Sequence, residues 1–148
     1  MKGYGVVVRF AMHWGEMDAL GHANNARYFT WFESARIAYF ERVALASRAP
    51  SPLGPILASA SCDFLRPVVF PCELVVGARV SAMRTTSFTM RYAVASAAEP
   101  DVCCARGSGV VVLYDYRART KVPIPDDLRA RIEAVEHPRR SGASPRRR

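Results

Sequence analysis

The residues best suited to chemistry lie in one short segment, WGEMDALGHANN, which spans residues 14–25. Within eight positions it holds the carboxylate of Asp18, the imidazole of His22 and the carboxamides of Asn24 and Asn25. An apolar stretch without Gly or Pro follows, so the segment leads into the start of a helix. Unpaired backbone N–H groups and the positive end of the dipole at such a start can polarise a carbonyl and stabilise an oxyanion. Asp18 is therefore a candidate nucleophile or general base.

Each of these side chains also has an ordinary structural explanation. Either asparagine can cap the N-terminus of the helix, and Asp18 can close an Asx turn. A histidine such as His22, taken alone, is more often a surface residue. The local pattern therefore leaves a catalytic and a purely structural interpretation open.

The elements that must position this segment follow from the hydrophobic pattern. Residues 6–12 predict a first strand, and residues 26–46 predict a long helix that is apolar on nearly every side, as buried helices are. Further strands are predicted over 56–64, 73–83, 87–97 and 102–114, and a short terminal helix over 126–136. One helix that is apolar all round needs a sheet that curls around it. We therefore predict an α+β fold, with a five-stranded antiparallel sheet wrapped around one central helix.

A longer pattern carries a family resemblance. W-G-E-M-D-A-L-G-H-A-N-N-x-x-Y-F-x-x-F-E-x-A-R, which runs from Trp14 to Arg36, resembles the N-terminal signature of the 4-hydroxybenzoyl-CoA thioesterase family of hot-dog proteins. Residues 63–67 and 73–76 resemble that family's second and third strands, and residues 84–88 resemble its third hairpin. The first pattern is also similar to that of plant acyl-carrier-protein thioesterases.

The resemblance implies a hot-dog fold, homodimers with a continuous sheet that often pair into tetramers, and no metal or redox cofactor. It places the active site at the dimer interface near the helix N-terminus. Asp18 falls on the position of the family's catalytic carboxylate. The backbone N–H of Asn25 falls where the thioester oxygen is held, and His22 and Asn25 would shape the pocket. Glu16 stands where the family commonly has Asp, and we interpret it as structural.

Glu33 is a second catalytic candidate, since the helix glutamate is implicated in the carrier-protein thioesterases. If Glu33 is buried, its pKa should be raised, which suits proton transfer. The alternative is an ion pair with Arg36 three residues later on the same helix face.

Four further residues are predicted to contact substrate: Asn24, Tyr28, Arg84 and Ser87. Tyr28 is otherwise a core residue. Where some family members carry a run of basic residues for the coenzyme A phosphates, only Arg84 is present here. Coenzyme A and an acyl carrier protein therefore both stay open as the thiol carrier.

Charge and composition place limits on the function. The last twelve residues, HPRRSGASPRRR, contain five arginines, and without them the formal net charge falls from +8 to +3. We thus predict a domain over 1–136, a disordered Arg-rich tail over 137–148, and no nucleic-acid partner. No apolar run is long enough to span a membrane and no signal peptide is evident, so a cytoplasmic location is expected. Four cysteines without a CxxC pair are predicted to be reduced, mostly buried thiols.

These observations together predict a thioesterase that hydrolyses an acyl or aroyl thioester of coenzyme A or acyl carrier protein. Two alternatives remain at this point. One is a non-catalytic protein that binds or senses acyl thioesters, and the other is a hot-dog enzyme that hydrates an enoyl thioester.

Overall fold

The computed structural model describes residues 1–45 and 51–138. Its elements in chain order are β1 (Val6–Ala11), α1 (Asn25–Arg42), β2 (Leu53–Phe64), β3 (Glu73–Met83), β4 (Ser87–Ser96), β5 (Cys103–Asp115), β6 (Thr120–Lys121) and α2 (Asp126–Glu136). A single 3₁₀ turn at Trp14–Glu16 lies between β1 and α1.

The strands form one antiparallel sheet in the order β1-β3-β4-β5-β2, and the two-residue strand β6 pairs with the end of β5. The predicted α+β architecture is confirmed, with five long strands around one long helix. The strand β1 is one edge of the sheet, and β2 is the other.

Helix α1 lies on the inner face of the sheet because its buried side chains match the inward positions of the strands. Trp31, Ala35 and Tyr39 are almost completely buried. They share the core with alternate residues of β3 such as Val76 and Ala78, as expected from the two-residue period of a strand.

The approach of α1 to strand β5 depends on Gly107. A Cβ atom at position 107 would lie 2.3 Å from the Phe32 ring, which is far closer than two carbon atoms can pack. The Phe32 ring also stacks on Tyr92 of β4, with ring centroids 4.9 Å apart. A side chain at position 107 would therefore push the helix away from the sheet.

The prediction that α1 is buried on nearly every side is wrong for a single chain. Phe29 and Ile37 are exposed, and 60% of the Glu33 side chain is accessible to solvent. The helix lies mainly over β3 and β1 and leaves the inner face of β2 largely uncovered. The side of α1 that faces β2 therefore has apolar residues without cover in a single chain.

Strand β2 is longer than predicted, since it begins at Leu53 rather than at residue 56. A strand can accommodate Pro55 here because β2 is an edge strand and the missing N–H breaks no ladder on its open side. Its large apolar side chains Leu53, Leu57 and Phe64 are exposed.

Helix α2 packs at the β3 side of the sheet through Leu128 and Ile132. One carboxylate oxygen of Glu136 accepts hydrogen bonds from the Tyr39 hydroxyl at 2.6 Å and from the backbone N–H of Val80 at 2.8 Å. This carboxylate connects α2, α1 and β3. The N–H of Val80 lies beyond the end of β1 and would otherwise belong to an open strand edge.

The remaining sequence predictions can be placed on this frame. All four cysteines are free thiols; Cys104 is buried and the other three are partly buried. Of the predicted tail, residues 139–148 lie outside the described residues, as does the stretch 46–50 between α1 and β2. Neither of the two helices described is long and apolar enough to cross a membrane.

Candidate functional site

The segment between the 3₁₀ turn and α1 forms a small closed loop. The backbone N–H of Asp18 donates to the carbonyl of His22 at 2.9 Å, and the N–H of Gly21 donates back to the carbonyl of Asp18 at 3.1 Å. Gly21 has a φ of +80°, a left-handed conformation that glycine adopts without steric cost. The loop thus holds the Asp18 and His22 backbones side by side.

The Asp18 carboxylate is held in place by its own loop. Its Oδ1 accepts the backbone N–H of Leu20 at 2.9 Å, which is the Asx turn that the structural interpretation predicts. Within residues 1–45 and 51–138, Oδ2 has no hydrogen-bond donor. Oδ1 therefore fixes the orientation of the side chain, and Oδ2 is free to accept a proton or to attack a substrate.

Asn24 and Asn25 have different positions at the start of α1. Asn24 is the N-cap, and its Oδ1 accepts the N–H of Ala26 at 2.9 Å. Asn25 is the first helical residue, and its backbone N–H has no protein acceptor within the described part of the chain. The side chain of Asn25 is exposed. An unpaired donor thus lies at the positive end of the helix dipole.

Glu16 joins the loop to the helix. One carboxylate oxygen accepts the indole N–H of the buried Trp31 at 2.8 Å, and the other accepts the backbone N–H of His13 at 2.6 Å. The backbone carbonyl of Glu16 also accepts the N–H of Asn24 at 2.8 Å. The interpretation of Glu16 as structural is confirmed, because both of its oxygens are used in positioning the loop.

The segment that follows β2 supports the loop from the other side. The carbonyl of Val68 accepts the N–H of Ala23 at 2.8 Å. The N–H groups of Leu65 and Arg66 both donate to the carbonyl of Cys104, at 2.9 and 3.0 Å. The chain between β2 and β3 is therefore fixed at the mouth of the site.

A cavity of about 320 Å³ brings these parts together. Its lining includes Asp18, His22, Asn25 and Tyr28 from the predicted set. Phe64, Leu65 and Arg66 complete it, although none of them was a predicted site residue. The signal for these three was the segment 63–67, which the sequence analysis used only as a strand motif.

Tyr28 is both a core residue and part of the cavity wall. Its ring packs against Trp31 and, edge to face, against Phe64, with centroid distances of 4.6 and 5.0 Å. Burial raises the pKa of the Tyr28 hydroxyl to about 12, so the group is a neutral hydroxyl at ordinary pH. It can donate or accept a hydrogen bond but does not carry charge into the site.

The structure does not bring the other predicted residues to this cavity within one chain. Glu33 lies two helical turns beyond Asn25, about 12 Å along the axis of α1. Its side chain is mostly exposed, so the burial that would suit Glu33 to proton transfer is absent in a single chain. Instead, Glu33 lies 3.7 Å from Arg36, as the ion-pair alternative predicts.

Arg84 lies in the turn between β3 and β4 and Ser87 is the first residue of β4; the N–H of Arg84 donates to the carbonyl of Ser87 at 2.7 Å. The loop of Asp18 adjoins the opposite end of β3, since Met12 bonds to Cys72 there. The length of β3 separates the two places by about 33 Å. These two residues can reach a site like this one only from a neighbouring chain.

A larger cavity of about 730 Å³ lies between β3 and α2. Glu133, Glu136 and His137 line it. The Glu136 carboxylate is already bonded to Tyr39 and Val80, and the cavity lies at the C-terminal end of α2, so it has no helix N-terminus to stabilise an oxyanion. Volume alone therefore does not identify the chemical site. Nowhere in residues 1–45 and 51–138 do three or more His, Cys, Asp or Glu side chains form a group that could hold a metal ion.

Comparisons with known proteins identify the family and the fold. The family model of the thioesterase-like superfamily matches residues 12–132. A thioesterase from Thermus thermophilus, solved with coenzyme A and zinc, is 31% identical with a TM-score of 0.78, over 92% of this chain and 97% of that one. A thioesterase-superfamily structure from Jannaschia sp. CCS1 is also 31% identical, with a TM-score of 0.81 over 88% and 82% of the two chains. The predicted hot-dog thioesterase fold is thereby confirmed.

A curated relative, the uncharacterized protein YsmA of Bacillus subtilis (strain 168), is 37% identical over 87 residues. The match covers 59% of this chain and 56% of the relative, so it spans little more than half of either protein.

Proposed function

The chain belongs to the thioesterase-like superfamily, and we propose that it hydrolyses acyl or aroyl thioesters of coenzyme A or acyl carrier protein. One observation carries the proposal. The carboxylate of Asp18, with one oxygen unbonded, and the start of α1, where the N–H of Asn25 is unpaired, open onto the same cavity. A carboxylate that can act as base or nucleophile and an oxyanion donor beside it are together able to hydrolyse a thioester.

In this mechanism the thioester oxygen accepts the backbone N–H of Asn25. Attack on the carbonyl carbon moves charge onto that oxygen, and the N–H and the helix dipole stabilise it more strongly than they stabilise the neutral carbonyl. Because the donor belongs to the backbone of a helix, it is fixed before substrate binds.

Asp18 activates the attack through its free oxygen. As a general base, it takes a proton from water while the water oxygen bonds to the carbonyl carbon, and it returns that proton to the departing thiolate as the C–S bond breaks. As a nucleophile, it forms a mixed anhydride and releases the thiol, and water then hydrolyses the anhydride to the free acid. Both routes consume one water and yield one acid and one thiol.

The other predicted residues have supporting roles in the proposal. His22 lines the cavity and is exposed, so it can orient substrate or water. Asn24 fixes the helix start as its cap, while Tyr28 forms the apolar wall. Glu33 stays a second catalytic candidate, although it is outside the Asp18 cavity in a single chain.

We also propose that the active unit is a homodimer, with β2 paired to β2 of a second copy. The edge strand β2 has unpaired backbone N–H and C=O groups on its open side, and its side chains Leu53, Leu57 and Phe64 are exposed. Such a strand can pair with the same strand of a second copy. Phe29 and Ile37 of α1 are also exposed, and a partner would cover them and close the space between α1 and β2 from outside. In a dimer of dimers, further chains would add contacts, and Arg84 or Ser87 of a neighbouring chain can then approach substrate.

Two features support different thiol carriers. The relative from Thermus thermophilus was solved with coenzyme A. The chain itself is basic, with a formal net charge of +8, which favours an acidic carrier protein. The thiol carrier therefore has to be identified by comparing turnover of coenzyme A thioesters with turnover of acyl-carrier-protein thioesters.

The decisive experiment measures thiol release from short, long and aromatic acyl groups, each attached in turn to coenzyme A and to acyl carrier protein. Asp18→Asn is the test variant and Asp101→Asn, in an exposed turn, is the matched control. Release that Asp18→Asn abolishes and the control retains supports a thioesterase, and the better carrier identifies the substrate class. If no thioester is cleaved but acyl thioesters bind tightly, the protein is a binding module instead.

A further inference from the structure

Arg36 is a buried charge with few partners. Only 10% of its side chain is exposed, although it lies on the helix face that looks toward β2. Its Nη1 donates to the Tyr92 hydroxyl at 3.4 Å, and its Nη2 is 3.7 Å from Glu33. Both contacts are long, and a guanidinium has five N–H donors that stay charged at all ordinary pH values.

Neither partner compensates for burying this charge. The Tyr92 hydroxyl is neutral, because burial raises its pKa. Glu33 is mostly in solvent and beyond hydrogen-bonding distance, so its attraction for Arg36 is screened. None of the fully buried side-chain nitrogens or oxygens in the described part of the chain lacks a partner, so the Arg36 nitrogens without a bonded acceptor still reach open space and can donate to a ligand. Among the described residues, no better acceptor for Arg36 is present.

The guanidinium borders a small cavity of about 160 Å³ between α1 and β2. Apolar side chains dominate the walls, among them Phe29, Phe32 and Leu57. Glu33 and Thr30 also line it, and the Glu33 side chain is mostly in solvent. A largely apolar cavity with a guanidinium at its edge suits a ligand that is hydrocarbon along its length and anionic at one end, provided that Glu33 turns away.

This cavity and the Asp18 cavity are separate and share no lining residue, but both lie along the surface between α1 and β2, which is named the groove. Both are bounded by α1 on one side and by β2 on the other, with Tyr28 and Phe64 in the first and Phe29 and Leu57 in the second. Arg36 is eleven residues beyond Asn25, which corresponds to about 16 Å along the helix axis. An extended chain covers about 1.2 Å per bond, so roughly 13 bonds join the two ends of the groove.

We propose that Arg36 binds a carboxylate at the far end of the acyl group, so that the preferred substrates are thioesters of long dicarboxylic acids. This inference rests on the proposed function, because the thioester end of the ligand is placed at Asn25. The planar guanidinium fork matches a carboxylate with two parallel hydrogen bonds, which a hydroxyl or methyl terminus cannot form. Glu33 would turn outward into solvent as the ligand carboxylate replaces it.

The test compares matched pairs of coenzyme A thioesters. Each pair has one chain length between about 8 and 16 carbons, a range that brackets the length of the groove, and one member ends in a methyl group and the other in a carboxylate. The measured quantity is the ratio of kcat/KM for the carboxylate member to that for the methyl member. We expect this ratio to be largest near about 14 carbons, which roughly 13 bonds join, and to exceed about tenfold there, because one charge-assisted pair is worth that much.

Arg36→Met is the test variant, and Arg42→Met, an exposed residue near the end of the same helix, is its control. We expect Arg36→Met to lower the ratio at least tenfold and Arg42→Met to leave it unchanged. A ratio near one in the parent protein, or an equal loss on both members in Arg36→Met, overturns the proposal and makes Arg36 a structural residue. If Arg36→Met does not fold, Arg36→Lys keeps the charge without the fork and should still reduce the ratio.

Binding of free tetradecanedioic acid and tetradecanoic acid, measured by calorimetry on the full chain, tests the carboxylate site separately from the proposed hydrolysis. Diacid binding that depends on Arg36, without any thioester cleavage, would refute the proposed hydrolysis and keep the carboxylate site. Cleavage of methyl-terminated thioesters, without diacid binding or preference, would refute the carboxylate site and keep the hydrolase.

Discussion

Oδ1 of Asp18 accepts the backbone N–H of Leu20 at 2.9 Å, so the proposed catalytic carboxylate is also the residue that closes its own loop. The catalytic and structural interpretations of Asp18 are therefore compatible. Oδ1 accepts the hydrogen bond that closes the turn, and Oδ2 is available to activate water or attack the substrate. Substitutions can separate the two roles because asparagine retains the oxygen of the turn and alanine does not.

Asp18→Asn should lower kcat by at least roughly 10²-fold, since general-base or nucleophilic assistance is typically worth about 10²- to 10⁴-fold. The loop should stay folded, because the Asn Oδ1 still accepts the N–H of Leu20. Asp18→Ala should lose similar activity and also about 1 kcal/mol of unfolding free energy. Thiol-release kinetics and urea unfolding of both variants check this. Parent-like activity in Asp18→Asn would remove Asp18 from the mechanism and direct attention to Glu33.

Much of this site could be predicted from the sequence because it is local. Asp18, His22 and Asn25 lie within eight residues, and a loop that leads directly into a helix must keep them close. Phe64 and Arg66 could not be placed in the same way. They reach the cavity through the pairing of β2 with β5, a register that depends on contacts between distant parts of the chain.

The error over Glu33 has a related cause. A helix whose sequence is apolar on nearly all sides is buried within one chain only if that chain supplies all of the residues that pack around it. Here α1 lies over β3 and β1, so the side with Phe29 and Glu33 is exposed in one chain. The sequence pattern indicates which residues need cover, but not whether the cover comes from the same chain.

Glu16 is expected to affect activity indirectly, because it holds the loop that contains Asp18 in position. Glu16→Ala leaves the indole N–H of the buried Trp31 without its acceptor, which should cost about 1–3 kcal/mol of unfolding free energy. Glu16→Gln keeps a side-chain oxygen for Trp31 and should lose less. Urea unfolding followed by tryptophan fluorescence measures both. Equal stability of the two variants and the parent would show that the bond to Trp31 contributes nothing.

The free energy of unfolding should decrease in alkaline solution, and the loss of the Tyr28 proton should contribute to this decrease. Burial raises the pKa of Tyr28 from 10.0 to about 12, so the folded state retains a proton that the unfolded chain loses. The stability this provides is fully present below about pH 10 and is lost as the pH rises toward about 12. Unfolding free energies measured from about pH 9 to 11.5 should therefore decline. Tyr28→Phe should make the decline shallower, and an unchanged slope would contradict the assignment.

The contact of Phe32 with β5 gives a test of how closely α1 must pack to hold the groove. Gly107→Ala places a methyl group 2.3 Å from the Phe32 ring, and that ring cannot move away freely because it stacks on Tyr92. We expect a loss of about 1–3 kcal/mol of unfolding free energy, the usual range for overpacking. Gly15→Ala is the matched control, since no atom lies within 4 Å of its added Cβ and its φ is not positive.

Because Phe32 also lines the cavity at Arg36, Gly107→Ala should reduce kcat/KM for long acyl chains more than for short ones. Equal effects on both chain lengths would mean that the acyl chain does not occupy the groove between α1 and β2.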